Sequence, residues 1–125
     1  MDGETELTKR IIGCAVEVHR RLGPGLLENV YESALSIELK TQGLSFERQI
    51  GIPLYYRGEL ISEHRLDLIV EKKVVVEVKS VERLAPLHWA QVLTYLRVTG
   101  LHVALLLNFN SPTLRAGTRR IVLIA

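Results

Sequence analysis

Cysteine is almost missing from this chain, and Cys14 stands alone. An intramolecular disulfide and a cysteine-based zinc centre are therefore excluded, and a lone thiol in a helical apolar pattern suits a small packing group. No apolar run approaches the roughly 20 residues that cross a bilayer, which predicts no membrane partner. The opening residues, Met1 to Glu6, are acidic and lack the basic and apolar regions of a signal peptide, so the expectation is a cytoplasmic protein. Repeats, low-complexity tracts and long linkers are absent. Neither sign of charge dominates: 16 Lys and Arg against 14 Asp and Glu leave a net charge of +2. That balance permits nucleic-acid binding without arguing for it, because the footprint depends on where the cations cluster.

What is present is ordinary for a globular protein. With 125 residues, 47% of them hydrophobic and 24% charged, the expectation is one domain, 1–125, with a single core and no separate target-recognition domain.

The most informative stretch runs from Arg65 to Lys79. Two apolar runs flank Glu71, Lys72 and Lys73, the pattern of a β-hairpin with a short charged loop. A loop of those three residues sets Val70 against Val74 and, counting outward, Asp67 against Glu77. Opposed residues share a face with Cβ atoms about 5 Å apart, and Lys79 lies two residues further along that face. A slip of one residue would separate the two acids. The second strand is apolar on both faces apart from Glu77 and Lys79, as expected of a central strand covered on both sides. Desolvating an ion costs several kcal/mol unless it is compensated. A Glu-x-Lys pair alone reads as a salt bridge at a sheet rim. An opposed Asp67 adds like-charge repulsion that a cation would relieve, and a hard divalent ion such as Mg2+ takes oxygen ligands and retains water.

Asp67, Glu77, Val78 and Lys79 resemble the D-x(n)-E-x-K signature of the PD-(D/E)xK nuclease superfamily. The stretch Gly25-Leu26-Leu27-Glu28-Asn29-Val30-Tyr31 resembles the naming motif of the GxxExxY protein family within it. His88 to Leu96, with Gln91 and Tyr95, resembles the Q-x-x-x-Y helix of exonuclease-like members. The three occur in the expected order, and the similarity runs from about Ile11 to Ile121. Leu66 stands where the naming proline of the superfamily would be, a common variation.

Helical spacing predicts a first helix over residues 7–22, closed by Gly23-Pro24-Gly25, and a second over 27–42, closed by Gly43. Strands are expected over 45–56, 59–70 and 73–81, with Pro53 favouring an edge position for the first. Pro86 opens a third helix, which Gly100 ends. A short buried strand over 101–107 and a last strand over 120–124 follow, separated by a turn-rich segment from Asn108 to Gly117. Glu28 in the first turn of the second helix either complements the positive helix end or supplies a third carboxylate. Tyr31, one turn on, orients that carboxylate, touches substrate, or packs in the core with a bonded hydroxyl. Parity along the strand groups His64 with Leu66 and Leu68, away from Asp67, as a structural histidine. Gln91 and Tyr95 share a helix face, and a glutamine on an apolar face needs its amide satisfied.

The element order matches what the resemblance implies: an α/β, restriction-endonuclease-like αβββαβ core, a mixed central sheet flanked by helices, with an extra N-terminal helix and a C-terminal strand. The implied activity is metal-dependent phosphodiester hydrolysis of nucleic acid, DNA foremost. Asp67, Glu77 and the Val78 carbonyl would hold Mg2+ or Mn2+, with Glu28 as a further candidate, and Lys79 would position the attacking water. Gln91, Tyr95, Tyr31 and Gln49 would contact substrate or orient the ligands. The alternatives are a catalytically inactive module that binds nucleic acid, nucleotide or protein on the same fold, and a subunit of a homodimer or larger complex whose mate completes the site.

Overall fold

The computed structural model describes the backbone of residues 2–124 and the side chains of residues 4–124. Helix α1 covers Asp2–Leu22 and helix α2 Glu28–Thr41. Strands β1 (Phe46–Tyr56), β2 (Glu59–Val70) and β3 (Val74–Lys79) form a meander, and helix α3 (Pro86–Thr99) carries the chain across to β4 (Val103–Asn108). A single 3-10 turn, Arg115–Gly117, precedes β5 (Thr118–Val122). The helix begins earlier than hydrophobic spacing indicates because residues 2–6 present no apolar stripe, while acids are favourable at the positive end of a helix. Similarly β5 starts before its apolar residues, since pairing with β4 from Leu107↔Thr118 onward sets its start rather than its composition.

The sheet order is β1-β2-β3-β4-β5, with β3 and β4 parallel and every other pair antiparallel. This is the α/β, restriction-endonuclease-like arrangement, with the Pro53 strand at the edge as its missing donor requires. On one face, Ile11, Ala15, Leu35 and Leu39 from α1 and α2 pack on Val74, Val76, Val78 and Leu105. On the other, Val92, Tyr95 and Leu96 of α3 pack on Val75, Ala104 and Leu106. Strand β3 is thus buried from Val74 to Val78. Its two charged residues, Glu77 and Lys79, are largely removed from water because both its faces are covered.

Besides the register shift of the β1–β2 pair at Leu54/Tyr55, alternation fails next to the acids. Leu68 and Val70 face α1 and α2, yet Leu66 faces α3. On β1, Phe46 packs on the first side, whereas Ile50 and Ile52 pack on the second. The two strands switch faces together at Gln49 and Asp67, where the ladder steps from Arg48↔Leu68 to Ile50↔Leu66. Gln49 adopts a left-handed φ of 52°, a conformation that costs a non-glycine residue about 1 to 3 kcal/mol. Simple parity therefore misplaces His64: it lies on the α3 side, beside Tyr95, with ring centroids 6.3 Å apart.

Candidate active site

The hairpin register is the one its loop demands. Val70 pairs with Val74 and Leu68 with Val76, which brings Asp67 level with Glu77. There the backbone ladder stops and side chains continue it. The Asp67 N–H donates to Glu77 Oε1 at 2.9 Å, and the Val78 N–H donates to Asp67 Oδ2 at 2.8 Å. Each acid spends one oxygen on the partner strand and keeps the other. Glu77 Oε2 lies 3.8 Å from Lys79 Nζ, and Lys79 in turn donates to Gln91 Oε1 at 3.4 Å. Asp67 Oδ1 receives the Gln49 amide at 3.4 Å.

Electrostatics follow from burial. Glu77 is 3% exposed, and desolvation, then repulsion from Asp67, lift its pKa to about 8 against the pull of the Asp67 N–H and of Lys79. Desolvation likewise raises Asp67, opposed by the Val78 N–H and reinforced by Glu32. Tyr95 is pushed up to about 12, by desolvation first and then by the two acids, so its phenol stays neutral. Its ring is buried and its hydroxyl reaches toward the Arg65 carbonyl at 3.5 Å.

Glu32 belongs to this network although no motif points to it. Buried on α2, it accepts from Arg48 Nε at 2.9 Å and from the Gln49 amide at 2.7 Å. Arg65 adds a bond to the Gln49 carbonyl at 3.0 Å, so Glu32 and Arg65 together hold the strained glutamine against Asp67. The available signal was position: Glu32 falls three and seven residues before Leu35 and Leu39, within an apolar stripe where an acid must find a partner.

Two expected contributors lie elsewhere. Tyr31 is fully buried, stacked on Phe109 at 4.7 Å, and its hydroxyl donates to the Gly23 carbonyl at 2.5 Å and accepts the Leu26 N–H at 3.1 Å. Both its polar capacities are spent on the turn before α2, so it orients that turn and not a site carboxylate. Glu28 is exposed, and its carboxylate accepts the Ser80 N–H at 3.4 Å, just beyond the end of β3. The structure does not gather it with Asp67 and Glu77: among the described residues, no three Asp, Glu, His or Cys side chains converge as a metal-holding group.

The donor set nonetheless suits a hard cation. Asp67 and Glu77 each have one oxygen that accepts no backbone N–H and meets only a long side-chain contact, at 3.4 Å from Gln49 and 3.8 Å from Lys79, and the Val78 carbonyl turns toward the same neighbouring strand as its N–H. Mg2+ is commonly held by one or two carboxylates with water completing its octahedron. The elevated Glu77 pKa, raised by burial first and then by Asp67, marks a desolvated and crowded acid whose charged form a cation would favour. Beyond Lys79 a groove of about 520 Å³ opens between α3 and the β1–β2 hairpin, flanked by Leu54, His64 and Gln91.

A mixed sheet of this order, with two acids and a lysine on its central hairpin and a glutamine helix above them, defines the restriction-endonuclease class of α/β domain. The chain belongs to the PD-(D/E)XK nuclease superfamily, whose family model matches residues 5–121. No curated protein and no solved structure matches the chain. No helix among the described residues is long and apolar enough to cross a membrane.

Proposed function

We propose that the protein is a divalent-metal-dependent nuclease that hydrolyses phosphodiester bonds of nucleic acid, DNA foremost. The observation that carries this reading is the interlocked pair Asp67 and Glu77, each with one oxygen bonded to the other strand's backbone and the second turned to a side chain, Gln49 for Asp67 and Lys79 for Glu77. Asp67, Glu77 and the Val78 carbonyl would hold Mg2+ or Mn2+. When bound, such a cation supplies Lewis-acid polarisation of the phosphoryl group and lowers the pKa of water it binds.

The remaining work falls to the chain. Lys79, held between Glu77 and Gln91, presents ammonium donors that position the attacking water and offset negative charge gathering on the phosphate. Gln91 fixes the direction of Lys79. Glu32 and Gln49 set the angle of Asp67, and neutral Tyr95 seals the floor beneath the acids. Glu28 holds the backbone just past Lys79 through the Ser80 amide, and the narrower likeness to the GxxExxY family rests on it and on Gly25 and Tyr31.

The test is incubation with Mg2+ or Mn2+ and linear, nicked and branched DNA. Cleavage is expected in the wild type and its loss in Asp67→Asn and in Lys79→Ala, with unchanged circular dichroism. Undiminished cutting in either variant rejects these assignments. Calorimetric metal binding with no scission of any substrate would favour a binding module instead.

A further inference from the structure

The groove beside the acids has a lining that a phosphate backbone would not select. Leu54, Leu87 and Ala90 supply apolar walls, while His64, His88 and Thr94 supply hydrogen-bonding edges. No Asp or Glu lines it, and its one formal cation, Lys79, stands at the end nearest Glu77. A track for a charged backbone carries a succession of Lys and Arg. A base, in contrast, wants flat apolar contact with a few donors and acceptors at its edge. The groove's volume of about 520 Å³ has room for a nucleoside.

His88 is already oriented for such a role. Its Nδ1 accepts the Ala85 N–H at 2.9 Å, which assigns the ring proton to Nε2 and leaves that nitrogen as a donor. His64 is set edge-on to the buried Tyr95 ring. Leu87 is 77% exposed, an apolar side chain left uncovered at the groove's border.

We infer that this groove receives an unpaired nucleobase adjoining the scissile phosphate, so that the substrate is single-stranded nucleic acid or the unpaired part of a junction, flap or frayed end. The inference rests on reading the acid pair as the cutting site, because Lys79 belongs to both. A base inside a duplex remains stacked, and bringing it out costs a few kcal/mol. A strand that is already unpaired escapes that cost. Duplex substrate is disfavoured accordingly.

Binding separates this inference from the nuclease assignment. Fluorescent single-stranded DNA, single-stranded RNA and the matching DNA duplex are titrated against the Asp67→Asn protein in Mg2+, with and without Ala90→Phe. Ala90 lies on the exposed surface of α3, so a phenyl group there fills the groove without entering a core. Thr94→Phe, one turn further on, does the same from a second position and guards against a local folding defect. Single strands are expected to bind about tenfold more tightly than duplex, a difference of about 1.4 kcal/mol, and both fillings should erase that preference. The DNA and RNA arms show which sugar the site accepts. Equal affinity for single strand and duplex, or a preference that survives both fillings, overturns the inference. Should the unmutated protein cut nothing, the nuclease reading falls, while the binding preference still decides the role of the groove.

Discussion

Asp67 and Glu77 replace a rung of the β-ladder with their own side chains: the Asp67 N–H bonds the Glu77 carboxylate at 2.9 Å, and the Asp67 carboxylate takes the next N–H along β3, that of Val78, at 2.8 Å. The strands part there because carboxylates occupy the space in which carbonyls would have met. Two acids are thereby fixed in a largely buried gap, and the energetic penalty appears as raised pKa values. On its other edge β3 is secured by parallel pairing with β4 from Val74 to Lys79.

The first consequence is a pH dependence of the metal-free protein. The Glu77 pKa of about 8 in the folded state stands above its ordinary 4.5. Between those values the native state keeps a proton that the unfolded chain releases, so stability is greatest below the window and declines as pH rises through it. In chelator, the melting temperature should fall steadily from the bottom to the top of that window. Glu77→Gln should flatten the slope, and Mg2+ should restore stability at the alkaline end. A slope of the same size in Glu77→Gln would assign it to another group.

Glu32 should matter more than an acid outside the motifs has reason to. Glu32→Ala removes a buried acceptor from Arg48 and Gln49, and bonds to charged groups of this kind are worth about 1.5 to 3 kcal/mol. Urea unfolding should register that loss. Cleavage should also drop, since Gln49 is then free to turn away from Asp67. Glu32→Gln, which keeps one acceptor, should recover part of both.

For Tyr31 the expectation is stability without chemistry. Tyr31→Phe forfeits its bonds to Gly23 and Leu26 but keeps the stack on Phe109, a loss of about 1 kcal/mol. Chemical denaturation should show it, with kcat unchanged. A large fall in kcat at full folding would return Tyr31 to the site.

Gly117 is fixed by close approach. A Cβ there would overlap the Asn108 carbonyl and the Ser111 hydroxyl, and the same Asn108 holds the backbone of Val81 through its side-chain amide. Gly117→Ala should cost about 1 to 3 kcal/mol by overpacking, read as a lowered urea midpoint with an unaltered slope.

Much of this design is written in local pattern. The three polar residues between two apolar runs set Val70 against Val74 and so brought Asp67 level with Glu77. The doubly apolar run from Val74 to Val78 announced a central strand, and Pro53 an edge strand. Each of these depends on neighbours within a few residues, through turn length, a missing donor or a two-residue period. Gln91 was legible for a related reason, as a lone amide on an apolar helix face.

The site's finer anatomy had no such local cause. Strict alternation sent His64 to the wrong side because Gln49 and Asp67 switch faces together, and that switch answers to Glu32 on a helix, Arg65 on the next strand and Val78 on the strand beyond. Tyr31 left the site for the same kind of reason, its hydroxyl being claimed by a turn and its ring by Phe109. Chain order and residue spacing settled the sequence of strands, the register of the β2–β3 hairpin and the pairing of the two acids. Which oxygens those acids keep, and what stands around them, was settled by hydrogen bonds between segments distant in sequence, whose partners become neighbours only when the sheet and its helices close.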